Sequence, residues 1–269
     1  MKKIFSSIIL LTIINGCNGT TPKPESKKIV DNTKEVKSPK VEVKKEDPFE
    51  VAKQSCLAKN AQGCIDFGWI MVEQEDYDLA KTAFNLSYDY GDKDGGMRGS
   101  YYVECLEKNA KSCGMLGYYL EEGKGGSQDY KFARLAYQQA IDLEDTSSLG
   151  SLAHLYSKGL GGERSQFKAT KLFEKSCNLS SEKLKYENCF NAGNKYADGK
   201  GVRQDNFKAV KFYQKACIGG YAESCNSLGW MYKYGKGVRQ SNSTAQMYYG
   251  KGCDLGSDLA CENYAKNNR

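Results

Sequence analysis

The chain has 269 residues, a formal net charge of +6, eleven cysteines and one histidine. Subtracting Lys2, Lys3 and the +2 carried by residues 18–48 leaves about +2 on residues 49–269, without a basic stripe, which argues against a nucleic-acid partner. A single histidine argues against zinc sites that need several histidine ligands.

The N-terminal residues 1–17 are typical of an export signal. Two lysines precede an apolar run at residues 4–14, which is shorter than the roughly 20 residues that a membrane-spanning helix needs. The run ends in Ile14-Asn15-Gly16-Cys17, which resembles the bacterial lipoprotein box and implies acylation of Cys17. Asn18 replaces the aspartate that often retains lipoproteins in the inner membrane, so we expect a lipid-anchored outer-membrane protein, on the periplasmic or surface face. A plain secretory signal, and a secreted protein, is the alternative.

Residues 18–48 predict a disordered tether. They hold eight lysines, six acidic residues, no aromatic residue and all four prolines of the chain. Such a segment buries too little apolar surface to offset the entropy cost of ordering it.

Residues 49–269 contain no proline, which favours long helices, and they repeat at a 36-residue step with one four-residue insertion. A period of this length predicts an all-α fold, an α/α solenoid of about five to six helix-turn-helix units. A stacked core of this size needs no partner subunit, so we expect a monomer. The repeated columns are Gly123, Gly159, Gly199 and Gly235; Gly125, Gly161, Gly201 and Gly237; Ala133, Ala169, Ala209 and Ala245; Tyr137, Phe173, Tyr213 and Tyr249; and, upstream, Gly117, Ala153, Gly193 and Gly229.

Each unit is predicted to be a helix A, a Gly-x-Gly loop and a helix B. Asp and Ser are strong helix N-caps, and one of them stands four residues before each column alanine. These predicted caps are Asp129, Ser165, Asp205 and Ser241. Residues 76–104 depart from the period and predict a degenerate unit with a shortened loop.

Ten cysteines form five pairs, four of them spaced C-x7-C. Eight residues of helix rise about 12 Å, whereas disulfide Cα atoms lie about 4.4–6.8 Å apart, so each bonded pair must straddle a turn between antiparallel helices. Zinc is the alternative, but its sites favour C-x2–4-C spacing. We therefore predict five disulfides, no metal, no cofactor and an oxidising compartment. The predicted bonds are Cys56 with Cys64, Cys105 with Cys113, Cys177 with Cys189, Cys217 with Cys225, and Cys253 with Cys261. An apolar pair, Ile141 and Leu149, replaces one bridge.

Three segments resemble the Sel-one-like subclass of tetratricopeptide-type repeats: residues 226–232, residues 235–238 and residues 209–217. With the C-x7-C pairs, the chain resembles the Helicobacter cysteine-rich protein family (Hcp). That resemblance implies a secreted, disulfide-stapled superhelix. It also implies penicillin binding with weak β-lactamase activity as an alternative function.

The main functional hypothesis is a binding scaffold. Stacked helix pairs present a concave face lined by helix A. The residue after each small helix-A residue varies among repeats, which indicates a partly exposed position. We expect these four residues, called the ligand column below, to contact a peptide, a peptidoglycan fragment, or an envelope or host protein: Tyr118, His154, Asn194 and Trp230. The alternative is that Tyr118 and Trp230 pack between neighbouring helices.

The enzyme hypothesis has little independent support in the residues. Serine β-lactamases combine S-x-x-K with S-D-N and K-T-G elements, and the latter two are absent. S-x-x-K occurs at Ser165 with Lys168 and at Ser180 with Lys183, but Ser165 stands in the N-cap column. We therefore predict no catalytic residue.

Overall fold

The structure is a computed structural model that describes residues 47–179 and 185–267. Within those ranges it contains thirteen helices and no strand, which confirms the predicted all-α fold class. The signal segment, Cys17 and residues 18–46 of the tether lie outside the described residues. The helices are α1 (Pro48–Leu57), α2 (Ala61–Glu73), α3 (Tyr77–Asp89), α4 (Lys93–Leu106), α5 (Ala110–Glu122), α6 (Tyr130–Asp142), α7 (Leu149–Lys158), α8 (Gln166–Leu179), α9 (Lys185–Asp198), α10 (Asn206–Ile218), α11 (Ala222–Tyr234), α12 (Asn242–Asp254) and α13 (Asp258–Asn267).

The chain divides into two compact units between Val103 and Glu104. In the second unit, α5/α6, α7/α8, α9/α10 and α11/α12 are four A/B pairs, each joined by a seven-residue loop. The first loop glycine is left-handed in every pair, with φ of 70°, 79°, 70° and 63° at Gly123, Gly159, Gly199 and Gly235. This conformation suits glycine, which has no Cβ, and it ends helix A.

The predicted N-caps begin helix B in each of these pairs. The Asp129 carboxylate accepts hydrogen bonds from the backbone N–H groups of Lys131 and Phe132 at 2.9 and 3.0 Å. Asp205 accepts from Lys208 N–H at 2.9 Å, and the Ser241 hydroxyl accepts from Thr244 N–H at 3.2 Å. Each cap satisfies a backbone donor that the helix cannot pair internally.

The small helix-A column and the aromatic helix-B column pack against each other. A β-carbon at Gly117 would lie 2.6 Å from the Tyr137 ring, and one at Gly229 would lie 2.5 Å from the Tyr249 ring. Tyr249 is 1% exposed. The glycine therefore lets an aromatic ring lie directly on the helix A backbone, which brings the two helices close together.

The first unit uses the same contact with a shorter loop. A β-carbon at Gly68 of α2 would lie 2.6 Å from the Phe84 ring of α3, and the loop between these helices is only residues 74–76. This loop is four residues shorter than in the second unit. In addition, two helices, α3 and α4, separate α2 from α5 along the chain, whereas one helix separates successive A helices in the second unit. The extra helix breaks the period before residue 104. The first described helix, α1, begins at Pro48 with Asp47 as its N-cap, so the expected boundary at residue 49 falls one residue inside the helix.

The structure contains a disulfide at each of the five expected cysteine pairs, and each bridge joins the end of one helix to the start of the next. The Cα–Cα distances lie between 4.3 and 4.8 Å. These distances fit a turn between two helices and not one continuous helix. The bonds are Cys56 to Cys64, Cys105 to Cys113, Cys177 to Cys189, Cys217 to Cys225, and Cys253 to Cys261.

The second cysteine of each bridge lies near the start of a helix, and in four of the five bridges it is fully buried. Cys64, Cys113, Cys189 and Cys225 are each 0% exposed. Cys261 is the exception and is only partly buried. It lies in α13, the last described helix, where no described repeat follows to cover it. Four of the five bridges therefore also fill space in the core.

Candidate functional site

The ligand column occupies one equivalent position on helices α5, α7, α9 and α11, one residue after the small residue that packs on helix B. Its two aromatic members are exposed: Tyr118 retains 39% and Trp230 46% of its accessible surface. The two polar members, His154 and Asn194, are partly buried. The structure thus separates the four predicted residues into two kinds.

The aromatic members contact residues of their own repeat that lie near the surface. Trp230 contacts Tyr234, one helical turn later, with ring centroids 5.0 Å apart, and Tyr234 is itself 53% exposed. The amine of Lys124 lies 4.6 Å from the ring centroid of Tyr118 and donates a hydrogen bond to its hydroxyl at 2.8 Å. Packing between helices therefore buries only part of the Tyr118 and Trp230 side chains. Tyr234 was not predicted, although its spacing of four from Trp230 places both on one helix face.

The polar members have structural partners. His154 meets the Phe173 ring edge-on at a centroid distance of 5.0 Å. Burial lowers the pKa of His154, and the charges of Lys158 and Lys195 lower it further, against the opposing effect of Glu187. Its imidazole is therefore neutral at pH 7. Asn194 accepts a hydrogen bond from the Tyr213 hydroxyl at 2.7 Å. Both residues join helix A to helix B.

The candidate serine–lysine pairs do not form a catalytic arrangement. The Ser165 hydroxyl accepts from the backbone N–H of Lys168 at 3.3 Å, which is the predicted N-cap bond of α8. Ser180 and Lys183 lie outside the described residues. The described residues therefore give the β-lactamase alternative no support.

A second polar site, which we call the Ser157 cluster, consists of Ser157, Arg164, Gln166 and Lys195. The Lys195 amine donates to the Ser157 hydroxyl at 2.9 Å and to the Gln166 side-chain oxygen at 2.6 Å. The Ser157 carbonyl accepts from Arg164 Nε at 3.0 Å and from Gln166 Nε2 at 2.8 Å. Burial lowers the pKa of Lys195, and the nearby charges of Lys200 and Arg164 lower it further. Two cations from neighbouring repeats thus meet at one serine.

Sequence reasoning missed the Ser157 cluster, although the repeat columns contain its signal. Lys195 stands in a column whose other members are Tyr119, Leu155 and Met231, which are 6%, 0% and 2% exposed. Arg164 likewise stands in a column of glutamines at positions 128, 204 and 240. Lys195 and Arg164 each place a positive charge at a position that is uncharged in the other three repeats.

In the described ranges, no group of three or more His, Cys, Asp or Glu side chains is placed to hold a metal ion. Over the same residues, no helix combines the length and the apolar character that crossing a bilayer would need.

Comparison with solved structures identifies similar folds. A protective antigen present in uropathogenic Escherichia coli strains, described as displaying an SLR fold, is 19% identical over 80% of this chain with a TM-score of 0.58, and the chain spans 50% of that protein. A Sel1 repeat protein from Oxalobacter formigenes is 19% identical over 76% of this chain and 77% of its own, with a TM-score of 0.56. At these identities the likeness shows the fold alone. Comparison with curated proteins gave no match.

Cysteine rich protein B of Helicobacter pylori is 27% identical over 48% of this chain and 95% of its own, with a TM-score of 0.38. A likeness at that score supports no conclusion about this chain, so membership of the Hcp family stays a prediction. The Sel1 repeat model matches residues 110–145, 148–181, 189–221 and 222–257, more than half of the chain. These segments cover the four A/B pairs of the second unit apart from residues 185–188 of α9. The chain therefore belongs to the Sel1 repeat family.

Proposed function

We propose that this Sel1 repeat protein is a binding scaffold for a peptide or protein, and that its contact surface includes Tyr118, Trp230 and Tyr234. The observation that carries the proposal is the exposure of these rings on helix A. Tryptophan and tyrosine dominate the energetics of protein interfaces because they bury large areas with few rotatable bonds. The Trp230–Tyr234 pair offers a contiguous aromatic surface.

The partner we propose is an envelope or host protein, a free peptide or a peptidoglycan fragment. Helix A lines the concave face expected of stacked helix pairs, which suits an extended ligand. The small net charge of residues 49–269 supports a partner other than a nucleic acid. The chain would act as a monomer, since its core is built from consecutive helices.

We further propose export and lipid anchoring through Cys17, with the chain in the outer membrane. The residues before Cys17 support this, and so do the five disulfides, because such bonds persist in oxidising compartments. More than one acyl chain gives a stable anchor where one chain would not.

The binding proposal is tested by panning a displayed random-peptide library against the purified full chain. Peptides selected on the native protein should lose binding to a Tyr118→Ala/Trp230→Ala double variant. A matched control is Phe207→Ala, which removes a ring that is 60% exposed on helix B. Equal binding to native protein and double variant would remove this surface from the proposal.

The anchor is tested separately by growing cells with a labelled fatty acid. The native chain should carry label and partition with membranes, and the Cys17→Ser variant should do neither. Label that persists in the variant, or a native chain released unlabelled into the medium, would refute the lipid anchor.

A further inference from the structure

The Ser157 cluster lies at the C-terminal end of α7, where the second and third repeats of the second unit meet. Ser157 is followed by Lys158, the last residue of α7. Lys195 comes from α9 in the next repeat, and its amine lies 2.9 Å from the Ser157 hydroxyl. The cluster is therefore built from two repeats.

Helix capping does not require the charge on Arg164. In the three sister loops a neutral glutamine makes the same bond: Nε2 of Gln128, Gln204 and Gln240 donates to the carbonyls of Glu121, Ala197 and Lys233 at 2.6, 2.7 and 2.9 Å. Arg164 makes this bond through Nε at 3.0 Å. Its two terminal nitrogens are additional donors that the glutamines lack.

Packing does not require the charge on Lys195 either. The equivalent residues Leu155 and Met231 fill the position with apolar side chains that are almost fully buried. Lys195 instead keeps partial access to solvent. An ammonium group has three N–H donors, and two of them bond Ser157 and Gln166, so one donor is left for another acceptor.

The cluster has an excess of positive charge. Lys200, the third cation near Lys195, lies 2.7 Å from the Asp198 carboxylate and is paired with it. Arg164 and Lys195 are held by neutral partners, the hydroxyl and carbonyl of Ser157 and the amide of Gln166. A bound anion would accept charge-assisted hydrogen bonds from both cations.

We propose that the Ser157 cluster binds a carboxylate group, either the terminus or an acidic side chain of a peptide. The anion is a carboxylate rather than a phosphate because the site lies at a helix C-terminus. The partial negative charge there opposes a dianion more than a monoanion. Arg164 and Lys195 converge on one serine, through its carbonyl and its hydroxyl, and together they match the two oxygens of a carboxylate. The proposal is independent of the Tyr118–Trp230 surface, since it concerns a different set of contacts.

The test is a titration of the ¹⁵N-labelled full chain with N-acetyl-alanyl-alanine at fixed ionic strength, followed by the backbone amide signals of Ser157, Arg164 and Lys195. We expect saturable shifts with the free carboxylate and none with the same peptide as its terminal amide. Inorganic phosphate is titrated in parallel, and tighter binding of phosphate than of the peptide would overturn the carboxylate assignment.

The variants Arg164→Gln and Lys195→Met install the residues that the sister repeats carry, so both should fold, as circular dichroism would check. Each should weaken carboxylate binding by about tenfold or more, the expected cost of losing a hydrogen bond to a charged group. Lys236→Gln is the matched control, because it removes one exposed charge from another loop and should leave binding unchanged. Equal binding to native protein, Arg164→Gln and Lys195→Met would refute the site. So would shifts that never saturate or that the amide reproduces. None of these outcomes depends on the aromatic surface, so either proposal can fail alone.

Discussion

Two hairpins of the second unit differ in their covalent closure. The hairpin between α10 and α11 is closed by Cys217–Cys225, whereas the hairpin between α6 and α7 has no disulfide. Their turns are nevertheless alike. Tyr221 N–H donates to the Ala216 carbonyl at 3.0 Å, and Asp145 N–H donates to the Ala140 carbonyl at 2.9 Å. Each turn also has one left-handed residue, Gly220 with φ of 88° and Glu144 with φ of 71°. Backbone bonds of the helix C-terminus therefore shape the turn, and the disulfide is not needed for it.

The two hairpins also differ in where the following helix begins. In the stapled hairpin α11 begins at Ala222, three residues before Cys225. In the unstapled hairpin α7 begins only at Leu149, the residue that replaces the second cysteine. The Asp145 carboxylate bonds the Ser147 N–H at 3.0 Å and the Ser148 hydroxyl at 2.9 Å. Side chains that bond the nearby backbone compete with helix formation, which explains the shorter helix.

The largest expected effect is that of reducing all five disulfides. In the chain-entropy model each small loop contributes about 2–3 kcal/mol, so reduction should lower the thermal stability strongly. The measurement is the melting temperature by circular dichroism with and without reductant, with non-reducing peptide mapping to verify the bonds. A melting temperature that reductant leaves unchanged would show that the bridges contribute little to stability. Disulfides between distant cysteines in the peptide map would contradict the predicted repeat register.

Removing one bridge isolates its contribution. The Cys217→Ala/Cys225→Ala variant should lose about 2–3 kcal/mol in the free energy of unfolding. Both cysteines are 0% exposed, so lost packing adds to that cost. The control is the same comparison in reductant, where the covalent part of the difference disappears. A difference that is equally large in reductant would assign the whole effect to packing.

Much of the fold was predictable because its signals are local. The loop glycines, the N-caps Asp129, Ser165, Asp205 and Ser241, and the small-to-aromatic contact each depend on residues within one repeat. The late start of α7 was not predicted, because it depends on how the Asp145 side chain competes with the backbone. The 76–104 register was not predicted, because two helices, α3 and α4, occupy the stretch between α2 and α5 where later repeats have one helix.

The candidate site was less predictable. The repeat position indicates partial exposure of the ligand column, but not that Tyr118 and Trp230 are more exposed than His154 and Asn194. The partners of His154 and Asn194 depend on how helix A meets helix B. The Ser157–Lys195 contact joins residues 38 apart in sequence, and it forms only where two repeats stack. The sequence signal for this contact is Lys195, a charged residue in a column whose other members are buried aromatic or apolar residues. Comparing the repeat columns with one another reveals it.

A smaller effect is expected at the unstapled turn itself. Asp145→Ala removes the acceptor of the Ser147 and Ser148 bonds and should cost about 1 kcal/mol, the net contribution of a typical intramolecular hydrogen bond. Denaturant unfolding measures it. Asp142→Ala is the control, since its exposed carboxylate accepts one bond from Gln138 on the same helix. Equal stability of the two variants would mean that the Asp145 bonds do not hold the unstapled turn.

The smallest expected effect is a pH dependence of the protein's stability. It arises in α7, the helix that follows the unstapled hairpin. Burial of His154 in α7 lowers its pKa, so the unfolded chain binds a proton more readily than the folded one. The stability that this histidine contributes is complete above its unfolded pKa of about 6.5 and is lost as pH falls through the lower folded pKa. Native protein should therefore lose stability relative to His154→Gln between neutral and mildly acidic pH, measured as the difference between their melting temperatures. Once the intrinsic pH dependence of amide exchange is corrected for, the protection of the α7 amides should fall in the same interval, because no disulfide holds the start of this helix. A difference between the two melting temperatures that stays constant across that interval would contradict the prediction. It would show that folding does not lower the pKa of His154.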